Sequence, residues 1–441
     1  MRRRLSTLAM AAALAVAALV SAPLPAQTPS RPSGSDLLAP PPARELGAIT
    51  LEQALDEAHR ANAKLPVAQL KVQQALARER QARGAFYPKL SIDGDVHGGT
   101  PQRYASDDAL LRVLAQTPLY TGGELRAGLA QRNAETDSLR AGYRMSVRDV
   151  DHAVRLAYGQ MLHAESTLAF RQRGIERLAA YLAVVQARQT AGQGVGADVL
   201  EAQQRLATAR ADIAAATRER DEGRLTLNDL LGREPEAPLS LAPLPVPVPP
   251  SGVTGRPWLA TPDVAQSEAD VRAGQAAVQA ALAGRKPHIT LEADAGTQPV
   301  LGPSDMALLN NGEGSGAEVT INFSVPFWDN GVFKARVAEA DAALTGARRQ
   351  QVAVERSAHL AWAEAATDLS DLYDEYQARS TAAAAARDAY LQTESLYRGG
   401  QGTALAVLDA YDAWIQANQS LLDVTYAYRV AQADLYRWGS P

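Results

Sequence analysis

Cysteine is absent from the 441 residues, which excludes a disulfide scaffold, a thiolate metal site, a cysteine nucleophile and a lipidated N-terminal cysteine. Aromatic residues are scarce at 5%, so the 46% that is hydrophobic consists mostly of small aliphatic side chains, alanine foremost. Such a composition favours close helix–helix contact over a thick globular core. Positive charge is not in excess either: 44 basic residues face 49 acidic ones, for a net charge of −5, and no nucleic-acid partner is expected. Long apolar runs are missing apart from Leu5 to Leu24. With a mean hydropathy of −0.20, this excludes a bundle of membrane-spanning helices, each of which needs about 20 apolar residues in a row. Catalytic spacings are also lacking. The histidines (His59, His97, His152, His163, His288, His359) are scattered, and neither HExxH, GxSxG nor a phosphate-binding glycine loop occurs. An enzyme is not expected, nor a cofactor or a metal site. Asp368, Asp371 and Asp374 step by three along a helix and read as a solvated face.

Residues 1–26 have the form of a secretory signal, with Arg2, Arg3 and Arg4, an apolar stretch from Leu8 to Val20, and small residues up to Ala26. Residues 27–48, rich in proline and serine, follow as an extended leader.

The rest of the chain is written twice. Tyr87-Pro88-Lys89-Leu90 is answered by Lys286-Pro287-His288-Ile289, and Pro118-Leu119-Tyr120-Thr121-Gly122-Gly123 by Pro326-Phe327-Trp328-Asp329-Asn330-Gly331. The segment from Gly192 to Ala202 is answered by that from Gly400 to Ala410. Two repeats are expected, 49–232 and 262–438, joined by a proline-rich linker, 233–261.

Within each repeat the hydrophobic period changes from helical to alternating and back. Short helices are expected at 51–61, 66–83 and 262–284. Leu90, Ile92, Gly94 and Val96 alternate with polar residues, as do Ile289, Leu291, Ala293 and Ala295, and Val319, Ile321, Phe323 and Val325. Strands with one apolar face are therefore expected at about 88–97, 110–118, 288–296 and 317–326. Proline-free segments follow, predicting very long helices over 122–190 and 330–397 and shorter returning helices over 197–231 and 403–438. Val147, Val150, Val154, Ala157, Met161, Ala164 and Leu168 begin a seam stepping by three and four, which is coiled-coil packing. The fold class is mainly α with a small β part.

Four strands with one apolar face match the height of a bilayer when tilted. Alone, their two edges would leave backbone groups unpaired in lipid at several kcal/mol each. About three chains giving twelve strands would close a barrel with an aqueous lumen. Phe86, Tyr87, Tyr120, Phe323, Phe327 and Trp328 fall at the strand ends, as an interfacial girdle or as packing at the sheet–helix corner.

These repeated junctions, together with the opening Ile49-Thr50-Leu51-Glu52-Gln53-Ala54-Leu55, resemble the TolC-like outer membrane efflux proteins over nearly all of the chain after the signal. The resemblance implies a homotrimeric duct, a twelve-stranded barrel in the lipid of the Gram-negative outer membrane continued by an α-helical barrel across the periplasm. It implies work with a periplasmic adaptor and an inner-membrane RND or ABC transporter, in efflux or type I secretion. It also places closing residues at the starts of the returning helices. Matched position by position, these are Asp198 and Glu201, with Asp409 in the second repeat and Tyr397 ending the preceding helix; Ala406 stands where some relatives have a second carboxylate. A Tyr397 to Asp198 hydrogen bond is one expected closure and a ring of three Asp409 an expected cation attractor. The turns Gly194-Val195-Gly196 and Gly402-Thr403-Ala404 are the expected adaptor contacts. The alternative reading is a periplasmic coiled-coil adaptor or structural protein with no channel of its own, which would not need four alternating strands beside two such helices. The cargo is not legible.

Overall fold

The computed structural model describes residues 48–97, 108–250, 255–297 and 315–439. The expected signal, the leader up to residue 47 and most of the two loops joining paired strands lie outside these residues. In chain order the elements are α1 (Leu51–Ala61), α2 (Lys64–Gly84), β1 (Lys89–His97), β2 (Asp108–Tyr120), α3 (Glu124–Thr190), α4 (Gly196–Leu230), a 3-10 turn (Pro257–Ala260), α5 (Pro262–Ala283), β3 (His288–Thr297), β4 (Ser315–Ser324), α6 (Val332–Arg398) and α7 (Ala404–Trp438). The mainly helical, two-repeat plan with four strands is the observed one. α3 and α6 have 67 residues each, about 100 Å at 1.5 Å per residue.

The chain forms two compact units, one from Gln81–Ala127 with Gln279–Arg336, the other from the remaining helical segments and the C-terminus. In the first unit all four strands make a single antiparallel sheet in the order β1-β2-β3-β4. β2 and β3, from different repeats, pair from Leu111↔Thr297 to Pro118↔Thr290, with a register shift between Pro118 and Tyr120. Pro118 brings no amide hydrogen to the ladder, so the irregularity falls where pairing is already weakened.

The second unit is built on helix seams. Val150, Val154, Ala157, Met161, Leu168, Leu178 and Val185 are buried along α3. One cluster gathers Ile49, Ala54, Ala58, Val154, Tyr158, Met161, Leu227, Leu231 and Leu241. The proline-rich segment after α4 is thus part of the packing. Ile49 pairs with Leu241 in a parallel bridge, its N–H donating to the Ser240 carbonyl at 2.9 Å, and the Ala242 N–H donates to the Ile49 carbonyl at 2.9 Å. Asn228 donates to the carbonyls of Pro235 and Ala237, both at 2.9 Å, and Tyr428 to that of Val248 at 2.8 Å. Arg233 forks onto the Glu57 carboxylate with two contacts of 2.6 Å, the bidentate geometry that makes such pairs strong.

Candidate functional site

In the sheet, register sorts the side chains onto two faces, since neighbours along a strand point to opposite sides. Ile92 pairs with Val113, Val113 with Ala295, and Ala293 and Leu291 with Val319 and Ile321, which puts these apolar residues on one face. The other face carries Asp93 opposite Arg112, and Glu292 and Asp294 opposite Thr320 and Glu318. The apolar face is bare: Ile92 is 71% exposed, Val319 68%, Ile321 64% and Phe323 66%. No described residue covers this apolar face, and the edges β1 and β4 have no partner strand among the described residues.

In the second unit, the turns after α3 and α6 are built alike. Each long helix closes with a glycine in the left-handed region, Gly192 at φ 73° and Gly400 at φ 80°. The Gly192 N–H donates to Gln189 and the Gln193 N–H to Arg188, while the Gly400 N–H donates to Tyr397 and the Gln401 N–H to Leu396. This pair of bonds satisfies carbonyls that a helix end leaves open. Two residues on, a β-carbon on Gly194 would stand 3.1 Å from the Gln189 nitrogen and one on Gly402 3.2 Å from the Tyr397 nitrogen, so both turns fold tightly back. Val195 precedes α4 without a side-chain cap, whereas the Thr403 hydroxyl accepts from the Ala406 N–H at 3.3 Å before α7. Val195, Leu200 and Leu405 are exposed there, and Ala404 is buried.

Of the expected closing residues, Asp198, Glu201 and Tyr397 surround a residue that the sequence reading did not single out, Tyr181. Its ring centroid lies 5.5 Å from that of Tyr397, and its hydroxyl donates to the Ala404 carbonyl at 3.0 Å. Burial first, then the neighbouring Tyr397 and Asp198, push the Tyr181 hydroxyl well above the ordinary tyrosine range. Tyr397 is itself buried and has the Arg188 guanidinium 4.3 Å from its ring centroid; Arg188 also donates to the Arg398 carbonyl at 3.1 Å. Within one chain no Tyr397 to Asp198 hydrogen bond is present among the described residues. Glu201 pairs with Arg205 at 3.6 Å, and Arg205 in turn with Asp412 of α7. Asp409 is exposed and has no ion pair among the described residues.

Behind these turns Tyr390 stacks on Trp414 at 5.4 Å, and Phe170 meets Trp414 edge-on at 5.2 Å. A β-carbon on Gly174 would stand 2.9 Å from the Tyr411 hydroxyl, so that glycine admits the ring. Tyr181 lies on the buried seam itself, whereas Arg205 and Asp412 escaped the sequence reading as polar residues beside the buried Leu206 and Tyr411. Tyr181's spacing of three from Leu178 and four from Val185 was the available signal.

Comparison with known proteins places this geometry. The family model described as outer membrane efflux protein matches residues 54–233 and 259–438. The cation efflux system protein CusC of Escherichia coli O157:H7 is 27% identical over 87% of this chain and 84% of its own length. Among solved structures, that of CusC superposes with a TM-score of 0.80 at 22% identity, covering 89% of this chain and 92% of that one. The open state of the Neisseria gonorrhoeae MtrE outer membrane channel superposes at 0.78 with 23% identity, covering 88% of each. With both halves matched and the fold shared along nearly the whole length, the chain belongs to the outer membrane efflux protein family, whose members are channels and not enzymes.

Proposed function

We propose that three copies of this chain join their sheets into one closed barrel in the outer membrane and act as the exit duct of a tripartite efflux system, passing cargo handed over by an inner-membrane transporter and a periplasmic adaptor. The observation that carries the reading is the four-stranded sheet whose apolar face is bare and whose two edges lack a partner strand among the described residues. Each edge strand would leave about half its backbone groups unpaired in lipid, at several kcal/mol each, and closure with further copies removes that cost. The polar face, with Asp93, Glu292, Asp294 and Glu318, would line the lumen and keep it wet.

The test is direct. The purified chain should migrate as a trimer that resists heating in detergent and should give stepwise ion conductance in planar bilayers. A monomer that neither binds detergent micelles nor conducts ends the reading.

The repeats 49–232 and 262–438 would each supply equivalent rods to the duct. Asp198, Glu201, Tyr397 and Asp409 are proposed to narrow its adaptor-side end. The bare Val195, Leu200 and Leu405 at those turns support adaptor contact through Gly194-Val195-Gly196 and Gly402-Thr403-Ala404. Val195→Glu or Thr403→Glu should abolish export while trimer and conductance persist; full export by both variants would refute the contact.

A further inference from the structure

Conduction leaves one part of the first unit unexplained. The register puts the starts of β1 and β3 and the ends of β2 and β4 at one end of the sheet. The turns on either side of the strands therefore gather there. Lys286 packs on the Gly122 turn, where an added β-carbon would meet its own at 2.5 Å. At this end stand Phe327, 97% exposed, and Trp328, 68% exposed, just beyond the end of β4.

Around them positive charge is in excess. Arg126, Arg285, Lys286, Lys334 and Arg336 are all exposed, and none makes an ion pair among the described residues. The acids of the same turns are already engaged. Glu124 takes His288 at 3.0 Å, and Asp329 accepts the N–H groups of Gly331, at 3.1 Å, and Phe333.

Arg285 and Lys286 follow the C-terminus of α5, where a helix by itself favours cations. Arg126 and Lys334 have no such excuse. They are the third residues of α3 and α6, equivalent positions in the two repeats, and in a first turn the exposed N–H groups repel a cation. The same unfavourable choice made twice, beside nearly fully exposed aromatics, calls for an anion with an apolar body.

We propose that this collar binds the phosphate-bearing head groups of anionic phospholipids in the leaflet on the helix side of the sheet. Phe327 and Trp328 enter the head-group boundary, and Arg126, Lys334 and Arg336 pair with phosphodiester oxygens. The inference rests on the membrane-channel reading and narrows its lipid partner to a charge class.

The full chain in neutral detergent is titrated with brominated phosphatidylglycerol or brominated phosphatidylcholine, and quenching of Trp328 is isolated by subtracting Trp328→Phe. Phosphatidylglycerol should associate at least about fivefold more tightly, since each basic group near an anionic surface contributes a factor of about five. The triple variant R126Q/R336Q/K334Q should bring the two lipids to parity, and R126K/K334R should keep the preference. Equal quenching by both lipids in the unmodified chain, or an unchanged preference in a triple variant that still forms heat-resistant trimers, overturns the proposal. So does equal competition by soluble glycerophosphoglycerol, which would make the collar an aqueous anion site. Loss of conductance in the unmodified protein would instead count against the channel reading.

Discussion

Tyr158 is fully buried, yet its hydroxyl lies 2.8 Å from the Ile49 carbonyl and 2.7 Å from that of Ala242. Having one hydrogen, it holds the start of the first repeat and the segment after α4 to the same helix. Burial pushes its pKa up to about 12. The folded state thus keeps a proton that the unfolded chain loses near pH 10. Stability from this group is present in full below pH 10 and is lost as pH rises toward 12. Tyr158→Phe should cost about 1–2 kcal/mol at neutral pH, the price of an unmet buried bond. In thermal unfolding followed by circular dichroism, its deficit against the unmodified protein should shrink between pH 10 and 12. A deficit independent of pH would place the loss in packing. No sequence pattern announces this contact, because its partners are backbone carbonyls 109 and 84 residues away.

At the scale of elements, the junctions between strand and long helix show how much the repeat already said. Gly122 and Gly123 have φ of 63° and 95°, and their counterparts Asn330 and Gly331 have 54° and 89°. The two halves therefore reuse one backbone turn, and asparagine is the non-glycine residue that best tolerates it. The positions are not equal in what they tolerate. A β-carbon at Gly123 meets nothing within 4 Å, whereas at Gly122 it would stand 2.5 Å from the Lys286 β-carbon and 2.9 Å from the Ala283 carbonyl. Gly123→Ala should carry only the left-handed penalty, about 1–2 kcal/mol. Gly122→Ala should add a clash between the halves and lower the melting temperature by a visibly larger step. Equal shifts would mean that the turn moves freely against the start of β3.

What was legible in the sequence was local periodicity: Val150, Val154, Ala157 and Met161 are seam residues and are buried, because their spacing alone fixes a helix face. Two things were not legible. The pairing of β2 with β3 joins strands with no turn between them, and proline richness says that residues 233–250 are not helical without saying that Leu241 is core. Buried Thr136, Ser138 and Thr167 are invisible to an apolar pattern, since Thr136 satisfies its hydroxyl on the Arg132 carbonyl of its own helix.

For the whole molecule, the question is what meets the edges of the sheet. In one chain β1 and β4 are separated by β2 and β3. At about 4.8 Å per strand step, three steps put them about 14 Å apart. A disulfide needs α-carbons within about 7 Å, so a cysteine on β1 cannot reach one on β4 of the same chain. The absence of natural cysteine makes the background clean. Chains carrying one cysteine at Leu90 or Ile92 and one at Val319, Ile321 or Phe323 cover the registers in which neighbouring copies could pair. At least one combination should oxidise in membranes to covalent dimers and trimers, with nothing larger, because in the proposed trimer a third copy closes the ring and leaves no free edge. A ladder running past three would mean an open sheet or a wider barrel, and twelve strands would then be the wrong count. A product confined to dimers would mean that β1 and β4 meet without closure, leaving two edges in lipid at a cost of tens of kcal/mol, and would overturn the trimer.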